Sequence, residues 1–229
     1  MSKIIAVVGA TGAQGGGLVR AILADAAGGF RARAITRKAG GDKAEALRAL
    51  GAEVVPVAPG FDPAAAWEAA VTVRHYDATW ALELPRERIK PELRWEADGA
   101  LAVTGPALHA AQRTRTGVAA ALRALLREHD ALALPSAQVF PFDVETHWPR
   151  EIAGRPMPTY HRWMEVVSYA SLTGLPVAGV PVGFGPGGLP MGMQLIGRPR
   201  GDRALLELTE AYDRATGWVR TEPPLGSRP

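Results

Sequence analysis

A glycine-rich run near the start of the chain has the residue types and spacing of a dinucleotide-binding loop. It follows a short β-branched stretch at residues 3–8 and precedes a helical pattern that runs from Leu18 to Leu23. Glycines let the backbone turn tightly and approach a pyrophosphate, whose charge is met by backbone N–H groups and the positive end of a helix. The same pattern also fits a tight strand-to-helix connection without a ligand. The expected cofactor contacts here are Gly9, Thr11, Gly12, Gln14 and Gly15.

Two basic residues follow the second predicted strand, which spans residues 32–36. In a dinucleotide-binding unit that selects NAD, an acidic residue at this place binds the ribose 2′-hydroxyl, whereas a basic residue suits the 2′-phosphate of NADP. Arg37 is therefore the sixth expected cofactor contact, and NADP is the predicted cofactor. The alternative, that Arg37 and Lys38 are only solvated at a strand end, fits this pair of residues equally well.

The candidate nucleophiles lack the surroundings that would activate them. The chain has no cysteine, its serines stand singly outside the glycine runs, and no lysine follows Lys90. A hydroxyl nucleophile needs a nearby base. Ser136 with Asp143 and either His147 or His161 has the residue types of a triad, but triads are defined by geometry, and polar residues ending a strand are the favoured interpretation. We assign no catalytic residue, and no metal site because no histidine pair has a ligand-like helical spacing.

The elements that would position these residues alternate between strands and helices. Residues 1–57 predict a Rossmann-like βαβαβ unit, with a capping box at Asp42 and Glu45 opening its second helix. The rest of the chain predicts a helix capped by Asp62, a charged surface connection at 83–100 with a short helix at most, and a helix at 106–129 whose core stripe includes Val118 and Leu122. It further predicts helices at 159–173 and 202–216, capped by Thr159 and Asp202, and strands at 131–135, 176–184 and 191–196. The two last strands are apolar enough to be covered on both faces. The predicted fold is α/β, a mixed or mostly parallel sheet flanked by helices.

A first family resemblance is carried by the glycine- and proline-rich run Gly188–Gly197 and by the preceding segment 174–181. They resemble the C-terminal end of the amidase signature family, hydrolases of carboxylic amides, and the similarity extends back to about residue 52. That family uses a Ser–Ser–Lys set in a Gly/Ser-rich segment, which this sequence lacks. The resemblance implies a protein inactive alone that binds a small-molecule amide against a pocket wall of Pro135, Ser136 and Phe140.

A second resemblance covers residues 1–55, where the glycine run, Thr36-Arg37 and the segment Leu50–Val55 are similar to NmrA-like proteins of the short-chain dehydrogenase superfamily. It implies a dinucleotide ligand, in a redox-sensing or oxidoreductase-type module. The sequence contains no Tyr-x-x-x-Lys pair, so it shows no residue to act as the base in a reductase reaction. We therefore predict a fusion of two regions, 1–57 and 58–229, packed on the same sheet. A fusion with no selected activity remains the third alternative.

The overall composition argues against several classes of partner. The formal net charge is +3, and the arginines are spread through the chain without interleaved aromatics, which gives little support to nucleic-acid binding. The first apolar run is too short for a signal peptide or a membrane span. The absence of cysteine fits a reducing cytoplasm. Together these features predict a soluble cytoplasmic protein that binds neither nucleic acid nor membrane. It makes no prediction about oligomeric state.

Overall fold

The computed structural model describes residues 3–8, 10–11, 13–24, 29–36, 39–56 and 58–221. Its strands are β1 (Lys3–Val8), β2 (Phe30–Thr36), β3 (Glu53–Pro56), β4 (Ala131–Pro135), β5 (Glu151–Ile152), β6 (Arg155–Pro156), β7 (Val177–Phe184) and β8 (Pro190–Ile196). Its α-helices are α1 (Ala13–Ala24), α2 (Asp42–Ala49), α3 (Pro63–Asp77), α4 (Pro91–Ala102), α5 (Gly105–Glu128), α6 (Glu165–Thr173) and α7 (Asp202–Thr216).

Six of the strands form one sheet in the order β3-β2-β1-β4-β8-β7. The first four run parallel, β8 runs antiparallel to β4, and β7 runs antiparallel to β8. The prediction of an α/β fold with a mixed, mostly parallel sheet is confirmed. β1 and β8 belong to the same sheet and are joined through β4. The division into regions 1–57 and 58–229 stays a prediction.

Helices cover both faces of the sheet. Successive side chains of β1, like those of its neighbours, point to opposite faces and therefore pack into two separate cores. On one face Ile5 and Val7 pack with α1 and α7. On the other face Ala6 packs with α3, α5 and α6. β8 is buried along most of its length, as predicted, but β7 is an edge strand whose Val177 is exposed. The expectation that both strands are covered on both faces is therefore wrong for β7.

Local signals placed several elements correctly. Asp62 accepts a hydrogen bond from the Ala64 N–H and opens α3, and α5 buries the predicted stripe that includes Val118 and Leu122. Three caps are wrong. Asp42 and Asp202 are each the first helical residue after a glycine N-cap and make no capping bond. Thr159 bonds a histidine instead, and α6 begins only at Glu165, after a 3₁₀ turn.

The charged stretch at 83–100 is the largest departure from the predicted elements. It was expected to be a surface connection with a short helix at most, but it contains most of the 12-residue helix α4. The helix begins at Pro91, a favoured first helical residue. Glu96, in the middle of α4, is only 1% exposed. The prediction was wrong because charged residues indicated a solvent-exposed segment, whereas Glu96 is buried against partners that lie far away in the sequence.

Candidate functional site

The carboxyl end of β4 is the place in the sheet where the predicted substrate residues lie. Pro135 is the last residue of β4 and Ser136 follows it. β4 lies beside β1, with Val7 in register with Ala133, and the chain leaves β1 for β2 on the opposite side. In open α/β sheets, ligands bind outside the carboxyl ends of strands at such a switch point. The position favours a ligand-binding role.

Ser136 is exposed and sits closely over β8. Its backbone N–H donates a 3.1 Å hydrogen bond to the Gly192 carbonyl. A Cβ atom at Gly192 would lie 2.8 Å from the Ser136 Oγ, closer than carbon and oxygen can pack. Gly192 is therefore required for the serine hydroxyl to rest against the neighbouring strand.

Gln194 is the residue that fixes this strand end to a helix. Its side chain is buried, and its Nε2 donates to the Pro135 and the Val166 carbonyls, both at 3.0 Å. Gln138 holds the same junction from the loop, because its Oε1 accepts the Val166 N–H at 3.2 Å. Sequence reasoning missed Gln194. The available signal was a single amide side chain within the apolar run of β8.

Aromatic rings lie near the same strand end. A Cβ atom at Gly185 would lie 2.3 Å from the Phe140 ring, so the ring packs directly on the backbone of that glycine. Phe142, two residues further along, meets Trp163 edge-to-face with ring centroids 5.5 Å apart. Pro135, Ser136 and Phe140 thus lie in one loop and its adjoining strand, and their role as a pocket wall stays a prediction.

The candidate triad partners are each engaged elsewhere. Asp143 accepts the Glu145 N–H of its own loop at 2.8 Å. The His147 ring contacts the Glu92 carboxylate, and a 2.9 Å hydrogen bond joins the Nδ1 of His161 to the Thr159 hydroxyl. Ser136, Asp143 and both histidines are described residues, and no hydrogen bond links the Ser136 hydroxyl to the other three. Within this set of four described residues, no base is hydrogen-bonded to the serine hydroxyl.

A second polar cluster surrounds Glu96 where α3 and α4 meet the segment before α6. The Glu96 Oε1 accepts hydrogen bonds from the Arg74 Nε and from the Tyr160 hydroxyl, the latter at 2.6 Å. The His75 Nδ1 lies 3.0 Å from the other carboxylate oxygen. Burial and the hydrogen bond to Glu96 raise the pKa of Tyr160. Sequence reasoning missed this cluster because it treated the region as a solvated connection.

His161 stacks on the Tyr160 ring with centroids 4.8 Å apart and is 5% exposed. Burial lowers the pKa of His161 from 6.5 to about 4 by disfavouring the imidazolium, although the nearby Glu96 carboxylate partly opposes this effect. The positive charges of Arg74 and Arg162 act in the same direction as burial. The ring is therefore neutral at pH 7.

This depressed pKa predicts a stability that depends on pH. Between pH 6.5 and about pH 4 the unfolded chain protonates His161 and the folded chain does not. The free energy of unfolding should therefore be highest above pH 6.5 and fall by up to about 3 kcal/mol as the pH drops through this window. Urea unfolding at several pH values measures the slope. His161→Gln, neutral throughout, should flatten it, and identical slopes for the two proteins would contradict the prediction.

The predicted cofactor residues are described only in part. Thr11 lies in the turn between β1 and α1 and is half-buried, while Gln14 and Gly15 lie in the first turn of α1. Gly9, Gly12 and Arg37 lie outside the described residues. Close by, a Cβ atom at Gly16 would stand 3.0 Å from the Ala10 carbonyl oxygen, so the start of α1 packs tightly on the preceding turn.

Two absences hold for the ranges that the structure describes. Within them, no three histidine, aspartate or glutamate side chains gather as potential metal ligands. No helix in these ranges is long and apolar enough to cross a membrane.

Comparison with known sequences returns subunits of glutamyl-tRNA(Gln) amidotransferases. The chain is 32% identical over 116 residues to a subunit of the glutamyl-tRNA(Gln) amidotransferase of Moorella thermoacetica, an alignment that covers 51% of this chain and 22% of that protein. It is 51% identical over 57 residues to the corresponding subunit of Hahella chejuensis, covering 25% of this chain and 12% of that protein. The aligned part therefore spans less than a quarter of these relatives' length.

Solved structures show the same fold. A bacterial aryl acylamidase of the amidase signature family superposes with a TM-score of 0.65 at 22% identity, covering 96% of this chain and 44% of the other. The 6-aminohexanoate cyclic dimer hydrolase superposes with a TM-score of 0.67 at 17% identity, covering 98% and 47%. The sequence model of the Amidase family matches residues 25–206, a range that includes α2 and β3 of the predicted N-terminal unit. Since that range is well over half of the sequence, the chain belongs to the Amidase family.

Proposed function

We propose that this chain binds a small-molecule amide at the wall formed by Pro135, Ser136 and Phe140, and that it does not hydrolyse the amide alone. Hydrolysis of amide C–N bonds is the chemistry that the family's name implies. The observation that carries the second half of the proposal is the Ser136 hydroxyl, which is exposed at the strand end without a hydrogen bond to the described histidines or Asp143.

Amide hydrolysis requires more groups than this wall supplies. The carbonyl carbon must be attacked by an activated oxygen, the developing oxyanion needs hydrogen-bond donors, and the leaving nitrogen must be protonated. Ser136 could provide an oxygen, but its backbone N–H is already bonded to Gly192. Lys90, the last lysine of the sequence, lies at the start of α4. The arrangement supports the binding of an amide without its cleavage.

The corresponding prediction concerns a simple aryl amide. Incubating the purified chain with 4-nitroacetanilide should release 4-nitroaniline no faster than buffer does, because Ser136 lacks a base. Ser136→Ala should give the same background rate. Saturation-transfer NMR tests binding separately from turnover, and Phe140→Ala should weaken the transfer. Turnover by the unaltered chain that disappears in Ser136→Ala would overturn the proposal of inactivity, whereas absence of transfer would overturn the proposal of binding.

A second candidate function is binding of NADP by the N-terminal unit. The parallel order β3-β2-β1-β4, with α1 connecting β1 to β2, supports it, because a phosphate loop in such a unit follows β1. Titration with NADPH and NADH, followed by tryptophan fluorescence, tests it. A preference for NADPH that Arg37→Ala removes would agree, and no binding at millimolar cofactor would reject it.

The remaining expectations stay hypotheses. An origin by fusion with no selected activity would be favoured by a thermal melt without a cooperative transition, since a jointly packed sheet should melt in one step. The cytoplasmic location and the absence of nucleic-acid and membrane partners stay predictions from composition.

A further inference from the structure

A groove between α3, α4 and α6 is separate from the wall at the end of β4. Its volume is about 490 Å³, within the range of small-molecule sites. None of Pro135, Ser136 and Phe140 lines it. The apolar lining includes Trp67, Val71, Trp80, Leu93, Met164 and Leu172. Two indoles and a thioether make this surface suited to the face or edge of an aromatic ring.

The His161 imidazole brings a buried polar atom without a partner to this groove. The side chain lines the groove, and its Nδ1 is bonded to Thr159. Its Nε2 is buried and has no hydrogen-bond partner among the described residues. Leaving such a group unpaired is costly, and most buried polar atoms in native proteins are paired. A ligand with one hydrogen-bonding group would satisfy it.

The charges at the groove exclude an anion as the preferred ligand. Arg74, Glu96 and Asp77 line it, with one positive and two negative charges. The Arg74 cation is already bound to the Glu96 carboxylate. Arg162, which stacks on one of the indoles, is paired with Glu165. A carboxylate ligand would therefore meet an excess of negative charge without a spare cation, whereas an uncharged ligand would not.

We propose that this groove binds an uncharged aromatic molecule that carries one hydrogen-bonding substituent, with the ring in the apolar lining beside Trp67, whose indole lies 5.0 Å from the His161 ring, and the substituent on the Nε2 of His161. A hydroxyl group can both donate and accept, so it can pair with either neutral tautomer of the imidazole. The site is independent of the amide-binding wall.

Phenol is the probe that tests this site, with benzoate and cyclohexanol as controls for charge and aromaticity. Isothermal titration and saturation-transfer NMR should show phenol binding with a Kd of about 1 mM, as expected for a ligand of this size. Benzoate and cyclohexanol should each bind at least about fivefold more weakly. Equal binding of the three compounds, or no binding of phenol at its highest soluble concentration, would overturn the proposal.

Variants distinguish the groove from non-specific binding. Trp67 lies beside His161 in the groove, so Trp67→Ala, once its fold is verified by circular dichroism, should weaken phenol binding about fivefold. Tyr76, 52% exposed on α3 and outside the groove lining, is the matched control, and Tyr76→Ala should leave the Kd unchanged. His161→Phe should abolish the preference for phenol over toluene. Equal effects of the Trp67 and Tyr76 substitutions would contradict the assignment.

Discussion

Replacing Glu96 with alanine is expected to lower the free energy of unfolding by about 3 kcal/mol. The carboxylate is 1% exposed and accepts hydrogen bonds from both Arg74 and Tyr160. Its removal leaves a cavity, takes the acceptor away from two donors and leaves the Arg74 charge without its counterion. Arg74 is half-exposed, so water partly replaces the lost carboxylate. The expected loss of stability is therefore at the lower end of the range for a broken buried ion pair. Urea unfolding followed by circular dichroism measures it.

Asp98 provides the matched control for this substitution. It lies two residues further along α4, and its carboxylate pairs with Arg86 on the surface. Exposed pairs of this kind contribute little to stability, so Asp98→Ala should leave the unfolding midpoint nearly unchanged. Equal losses for Glu96→Ala and Asp98→Ala would show that burial of the Glu96 carboxylate does not stabilise the contact between α3, α4 and Tyr160.

Gln194→Ala is the second substitution with a large expected effect, a loss of roughly 2–3 kcal/mol in the free energy of unfolding. One amide nitrogen satisfies two carbonyl oxygens, those of Pro135 and Val166, and thereby joins β4 to α6. Without it both acceptors lose this partner in a poorly solvated junction. Because Pro135 belongs to the proposed amide-binding wall, the variant should also weaken amide binding.

Gln138→Ala is the control that distinguishes the two buried hydrogen bonds of Gln194 from a general effect of any substitution at this junction. Gln138 is half-buried and accepts a single hydrogen bond, from the Val166 N–H. Its replacement should cost about 1 kcal/mol. A loss equal to that of Gln194→Ala would mean that the two carbonyl groups are hydrated in the variant, and that the double hydrogen bond of Gln194 is not what secures the helix.

Local signals in the sequence predicted the elements whose causes are local. The aspartate and proline at residues 62 and 63 placed the start of α3, and the apolar stripe of α5 follows from helical spacing alone. The end of β4, and hence the position of Ser136, could be predicted from the sequence because a buried strand ends there in a polar loop. These features need only a few neighbouring residues to be recognised.

The parts that were missed depend on partners distant in the sequence. Glu96 is held by hydrogen bonds from Arg74 and Tyr160, 22 and 64 residues away, so α4 looked like a solvated charged segment. Gln194 bonds groups 59 and 28 residues away. The groove near His161 arises where three helices meet. A single sequence does not indicate which distant residues will meet, and thus conceals these sites.

The place of β1 in the sheet bears on how the chain reaches its native state. β1 lies between β2, which follows it closely in the sequence, and β4, whose pairing brings the Ile4 N–H to Asp130, 126 residues away. During synthesis on the ribosome, one edge of β1 stays open until more than half of the chain has emerged. Pairings between residues so far apart form slowly, and unpaired edges invite aggregation. We therefore expect folding to be slow, and chaperones and low temperature should improve the recovery of monodisperse protein.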